Sequence, residues 1–205
     1  MRRGFTLIEM LVVIAIIAIL VAAGMTGYSG AVRSAQRARA NELVHDMVVA
    51  FGAVLQKDDC WPRAILAEGK SGDGKMTARV GAALARRGLI SGTYRQYTVD
   101  GDTVYEMTGI DKFGILSPWA ADVVRARINS TSLGDGTKIP SGGTLADHRL
   151  RFAVDDDYDG VTVAQVEGSE GVRVRASACV WCCGYDGKFG TKDDVMSWAK
   201  DQEVK

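Results

Sequence analysis

Three groups of residues in this chain have types and spacings that could do chemistry. The first is a single carboxylate, Glu9, in a run from 5 to 25 that holds no other charged side chain. A carboxylate one turn inside an apolar helix costs about 2.5–3.5 kcal/mol on membrane-insertion scales, more than the helix macrodipole returns. It calls for a cationic partner, and the nearest source is the free amine that cutting after Gly4 would create. The second group is Asp155, Asp157 and Asp159, at alternate positions and followed by Gly160. That spacing copies the first half of a calcium loop, where oxygen ligands sit at positions 1, 3 and 5. The twelfth position is Val166, with Glu167 one place late, so no EF-hand is present and a solvated hairpin turn is the competing reading. The third group is Cys60, Cys179, Cys182 and Cys183. No second close ligand pair supports zinc, and the motif lies in a strand pattern rather than opening a helix, which argues against redox chemistry. Disulfides or buried free thiols remain, with the pairing open.

The elements that must position these residues follow from patterning. The chain has 205 residues, 47% of them hydrophobic, and 25 basic against 25 acidic side chains. That length suits one domain, or a domain with an extension, and the zero balance argues against a general polyanion binder. The run 5–25, as a helix, spans roughly 30 Å, the thickness of a bilayer's hydrocarbon core. Arg2 and Arg3 precede it and would stay on the cytoplasmic side. Helical patterning resumes with Leu43, Met47, Ala50 and Val54, beside Val44, Val48, Phe51 and Leu55, a wide apolar stripe suited to lying on a sheet. Between them, 29–42 is small and basic, carrying Arg33, Arg37 and Arg39. Gly24, Gly27 and Gly30 soften the helix locally, and Pro62 marks its end. A short helix is expected over 77–87, closed by Gly88, and a hairpin over 94–99 and 103–107 around Asp100-Gly101. Residues 111–147 read as loop. Strands are expected over 150–154, 161–166 and 172–182, the last placing Cys182 on one face with Val174, Ala176 and Val180. One long helix followed by antiparallel strands is an α+β pattern.

The basic Arg2-Arg3, Gly4, Phe5-Thr6-Leu7-Ile8-Glu9 and the aliphatic run after it resemble the class III leader of type IV pilins and type II secretion pseudopilins. The alternative readings of the block are a plain signal anchor, or a signal peptide cut near Ala22-Ala23-Gly24. The resemblance implies cleavage between Gly4 and Phe5 by prepilin peptidase, N-methylation of Phe5, and pairing of Glu9 with the N-terminal amine of a neighbouring subunit. It implies a pilin-like fold divided into a leader (1–4), a hydrophobic transmembrane and assembly helix (5–28) and a globular domain (29–205). The end of the chain resembles the C-terminal calcium loop of major pseudopilins, through Asp186-Gly187 and the closing Asp194-Val195-Met196-Ser197-Trp198. Carried over, Asp186 and Asp194 become calcium ligands with Asp193 adjacent, while Lys192 stands where the family carries an acid.

No phosphate-binding loop, dinucleotide fingerprint, nucleophile elbow or zinc-protease motif is present, so no enzyme is read here. His45 and His148 read as surface or boundary histidines, and Trp61, Trp119 and Trp198 as core or loop anchors. The implied protein is a structural subunit. It is stored as a single-pass inner-membrane precursor, then assembled by pilus machinery into a homo-oligomeric helical filament that is periplasmic or extracellular. A minor, competence-type tip subunit binding DNA, a surface or cargo is the alternative. No specific nucleic acid is inferred.

Overall fold

A computed structural model describes residues 7–69, 74–127, 133–166, 170–199 and 202–204, with side chains at 23–27 and 110 outside the description. The chain divides into two compact units, 1–36 and 37–205. Helix α1 (Leu7–Asp58) runs through both.

Over 7–22, within the first unit, α1 is apolar all round apart from Glu9. Leu7 and Ile14, on one side of the helix, and Ile19, about a third of a turn round from them, keep 81%, 63% and 69% of their surface open. A helix hydrophobic all round is one that something apolar surrounds. Among the described residues no helix is long and apolar enough to cross a membrane. The described side chains of the run stop at 22, so the expected 5–28 segment reaches beyond them at both ends.

In the second unit the expected stripe is the spine of the core. Ala40, Val44, Met47, Phe51 and Val54 are buried at alternating spacings of four and three, with Leu43, Val48 and Leu55 packed on their flanks. They lie on a four-stranded antiparallel sheet, order β1-β4-β7-β8, built from β1 (Gly74–Lys75), β4 (Arg151–Val154), β7 (Ala178–Cys182) and β8 (Val195–Met196). Phe51 stacks on Phe152 of β4 at 5.1 Å and meets Trp61 edge-on at 6.2 Å. Burying a side chain of this class contributes about 1.5–3 kcal/mol, so this spine fixes α1 against the sheet.

The other face of the same sheet is also covered. Ala153, Cys179 and Trp181 pack with Ala164, Val174 and Trp198. Two of these come from a second sheet, order β5-β6-β9, made of β5 (Thr162–Ala164), β6 (Val172–Val174) and β9 (Glu203–Val204). Burial on both faces explains why β7 is apolar at every position.

The expected single strand over 172–182 is therefore two. The chain leaves the second sheet after Val174 and enters the first at Ala178. At the crossing Arg175 N–H donates to Gln202 O and Asp155 N–H to Ser177 O. Val174 consequently packs with Cys179, not with Cys182 as alternation along one strand had implied.

The hairpin over β2 (Tyr94–Val99) and β3 (Asp102–Met107) forms as expected, with Val99 opposite Asp102. Asp100 and Gly101 have φ of 51° and 85°, the two left-handed residues of a type I′ turn. Helix α3 (Ala78–Ala85) ends with Leu89 N–H bonded to Leu84 O and Gly88 N–H to Ala85 O, the paired closure that glycine favours. Two helices were not expected. Helix α2 (Arg63–Gly69) starts directly on Pro62, whose carbonyl accepts from Ile65 and Leu66. Helix α4 (Pro118–Ala126) lies inside the stretch read as loop, after a 3₁₀ turn at Gly109–Phe113. Its Ser117-Pro118 start is the usual N-terminal signature, and its Ala120 and Val124 close a small core with Leu116, Ile139 and Leu145.

Candidate functional site

Glu9 lies in the first turn of α1 and is exposed, among Leu7, Ile8 and Met10 at 81%, 74% and 49% exposure. A charge in that setting is costly in any apolar surround unless a cation joins it. Gly4 and Phe5, the expected cleavage pair, lie outside the described residues.

The acidic loops are both ordered by their own carboxylates. In the first, Asp155 is buried and accepts N–H bonds from Asp159 at 3.2 Å and Gly160 at 2.8 Å, while Asp159 accepts from Val161 at 2.7 Å. Trp61, the residue that ends the α1 region, clamps this loop by donating its indole N–H to Asp155 O and its backbone N–H to the Tyr158 hydroxyl. Oxygens of Asp155, Asp157 and Asp159 come within 4.8 Å of one another, the gathering of three ligating side chains seen among the described residues. Burial, offset in part by the Gly160 bond, holds the Asp155 carboxyl above its usual range.

In the C-terminal loop the carboxylates serve the backbone. Asp186 accepts from Lys188 N–H at 2.9 Å, and Asp194 from Gly190 N–H at 2.7 Å. Asp193 accepts from the Thr191 hydroxyl and, at 3.3 Å, from Asp186 N–H. Burial pushes Asp193 up, but the Thr191 and backbone bonds outweigh it and its pKa falls; at Asp194 burial wins and the pKa rises. These oxygens hold turns closed. In the 155–159 loop the three carboxylates converge, the kind of oxygen-rich arrangement a hard cation takes.

All four cysteines are free thiols. Cys60 is exposed beside Trp61, and the other three are buried. Burial drives Cys179 and Cys182 up to about 12 and Cys183 upward as well, so these thiols are inert at neutral pH.

His148 is not at the surface, as its isolated position in sequence suggested. It is fully buried, with Nδ1 2.8 Å from the Ser117 hydroxyl and Nε2 2.9 Å from Gly142 O. A lone histidine in a loop gives no pattern from which burial could be read. Trp61, Trp119 and Trp198 are core anchors, at 3%, 5% and 7% exposure.

The motif that carries Glu9 matches a known family, the prokaryotic N-terminal methylation motif, over residues 1–25. The fimbrial protein of Dichelobacter nodosus is 33% identical over 150 residues, which cover 68% of this chain and 90% of that protein. The chain belongs to the type IV pilin family. No solved structure matches it. As a pilin it is a pilus subunit, and its family points to a structural role. Its long helix followed by antiparallel sheets is the α+β arrangement that the leader implied.

Proposed function

We propose that this pilin is the repeating subunit of a type IV pilus-like filament, stored in the inner membrane and extracted into the fibre by its N-terminal helix. The observation that carries this reading is the first unit of α1, where every described residue from 7 to 22 is exposed and only Glu9 is charged. In the membrane, lipid covers that surface. In a filament, the helices of neighbouring copies cover it. Apolar burial changes little in that exchange, because lipid and helix bundle are similarly apolar. Direction and register then fall to Glu9, paired with the methylated Phe5 amine that prepilin peptidase leaves on a neighbour. The likeness to a fimbrial protein over nearly its whole length supports an extracellular fibre over a short secretion pseudopilus.

Shearing fibres from cells and measuring the subunit's intact mass tests the reading. A dominant species of this chain supports it. Fibres made of another chain, with this one present in trace amounts, would replace it with the tip-subunit reading.

A further inference from the structure

The second unit carries an open groove beside α1 that its core does not fill, with a volume of about 710 Å³. One wall is a face of α1, where Glu42, Asp46 and Val49 recur at helical spacing. The other wall is the 3₁₀ turn and α4, which supply Asp111, Asp122 and Arg125. Half-buried Leu43, Ile90 and Ile115 give the groove an apolar lining. Val49 stays 58% exposed, so an aliphatic side chain of the groove remains open to water in the single subunit. The charged rim is acidic on balance, because Glu42, Asp46, Asp111 and Asp122 stand against Arg39 and Arg125 alone. Asp122 and Arg125 already approach each other at 3.7 Å.

The same helix carries the complement. Between Met10 and Asn41 α1 holds no acid, and its cations there are Arg33, Arg37 and Arg39. Arg33 and Arg37 are exposed and one helical turn apart, with Gly30 and Ser34 beside them on that face. A Cβ on Gly30 would meet nothing within 4 Å, so this side of the helix is slim and open. Arg37 reaches Lys192 O of its own subunit at 3.5 Å, beyond the usual length of such a bond. Glu42 and Asp46 are likewise one turn apart, so the basic and acidic pairs share an axial spacing of about 6 Å. At roughly 3.6 residues per turn, Arg37 lies nearly half a turn round α1 from the middle of the acidic pair. One subunit's basic pair therefore cannot reach its own groove.

We propose that the groove receives the Gly30–Arg37 stretch of a second copy of this chain, setting that copy's Arg33 and Arg37 against Glu42 and Asp46. This rests on the filament reading above and names one of the contacts that would build the fibre. The two patches are different surfaces, so each copy offers both, and the contact is head-to-tail. Such a contact repeats from copy to copy instead of closing into a dimer. Covering Val49 and the apolar lining supplies attraction, while the charges select the partner and fix its register. Parallel helices in that register, 33 beside 42 and 37 beside 46, are staggered by about 14 Å. Pairing of Glu9 with a neighbour's Phe5 amine implies a stagger of about 6 Å in the same direction. Two neighbours at different heights satisfy both, and a helical fibre provides them.

Charge exchange in cells that make the fibre tests the contact, with the native yield of sheared fibre as reference. Glu42→Lys with Asp46→Lys should lower that yield by on the order of tenfold, because like charges then meet. Arg33→Glu with Arg37→Glu should do the same. All four changes in one chain restore opposite charges across the contact and should return the yield to within about twofold of native. Undiminished yield from either pair, or no recovery in the fourfold variant, overturns the contact. Cross-linking gives an answer that does not depend on yield. In fibres of a Cys60→Ser chain, Arg37→Cys with Asp46→Cys should oxidise to a ladder of dimers, trimers and longer chains, while either new cysteine alone gives monomer. Monomer from the double variant, or dimer from Asp46→Cys alone, overturns the contact and leaves the filament reading standing. Native fibres that lack this chain would sink the filament reading and the contact together.

Discussion

Trp61 donates its indole N–H to the carbonyl of Asp155 at 2.7 Å, joining the end of the long helix to an acidic turn 94 residues further on. The ring is 3% exposed and packs edge-on against Phe51, so the bond is made in the core. Trp61→Phe removes the donor and strands a buried carbonyl, and should cost about 1–3 kcal/mol, read as a lowered urea midpoint with an unchanged slope. An unaltered midpoint would mean that the turn does not depend on this clamp.

Processing is checked by mass. The mature subunit should begin at Phe5 and carry one methyl group on its amine. Retention of Met1 in assembled fibres, or a start after Gly24, contradicts the proposed route.

Glu9→Ala should insert into the membrane as well as the native chain or better, because it deletes a costly charge. Fibre yield should collapse when every subunit carries the change, since the neighbour's amine is left without its anion. Normal yield would remove Glu9 from assembly.

Calcium is tested by melting the chain with and without chelator. If the 155–159 loop holds the ion, chelation lowers Tm and added calcium restores it, because an ion bound only by the folded state stabilises by mass action. Asp157→Ala should abolish that response. Asp194→Ala should keep the response but start from a lower Tm, having lost the bonds to Gly190 and Thr191 N–H. The opposite pattern would return the ion to the C-terminal loop, and a Tm indifferent to chelator would remove it from both.

Thiol reactivity separates the cysteines. Alkylation of the native chain at neutral pH should label Cys60 alone and leave Cys179, Cys182 and Cys183 for the unfolded chain. Cys60 unreactive to alkylation until a reductant is added would instead show a disulfide made by that residue.

Much of this fold could be read from residue order because the signals were local. The stripe from Ala40 to Val54 has helical spacing, and Asp100-Gly101 names its turn. What could not be read depends on which surface covers which. The break between Val174 and Ala178 exists because two sheets meet there, and Arg175-Ala176-Ser177 at the crossing contains no Gly or Pro to mark a change of partner. His148 is interior because α4 and β7 close over it, and its neighbours Ser117 and Cys183 lie 31 and 35 residues away. The acidic loops differ for a related reason: motif likeness counts carboxylates, whereas a cation needs their oxygens to converge, and among the described residues three do so at 155–159.

Among the described residues the β2–β3 hairpin pairs with no other strand, and its turn residues Asp100 and Gly101 are exposed, with open space where a Cβ on Gly101 would sit. Its length is therefore a free parameter of the molecule. Adding one residue to each arm keeps every existing side chain on its own face, whereas adding one to a single arm turns half of them over. The hairpin can grow in paired steps while Met107 at its base stays packed against α3. On the proposed fibre, such paired growth would alter each subunit's outline at the same spot without changing a residue of the N-terminal helix.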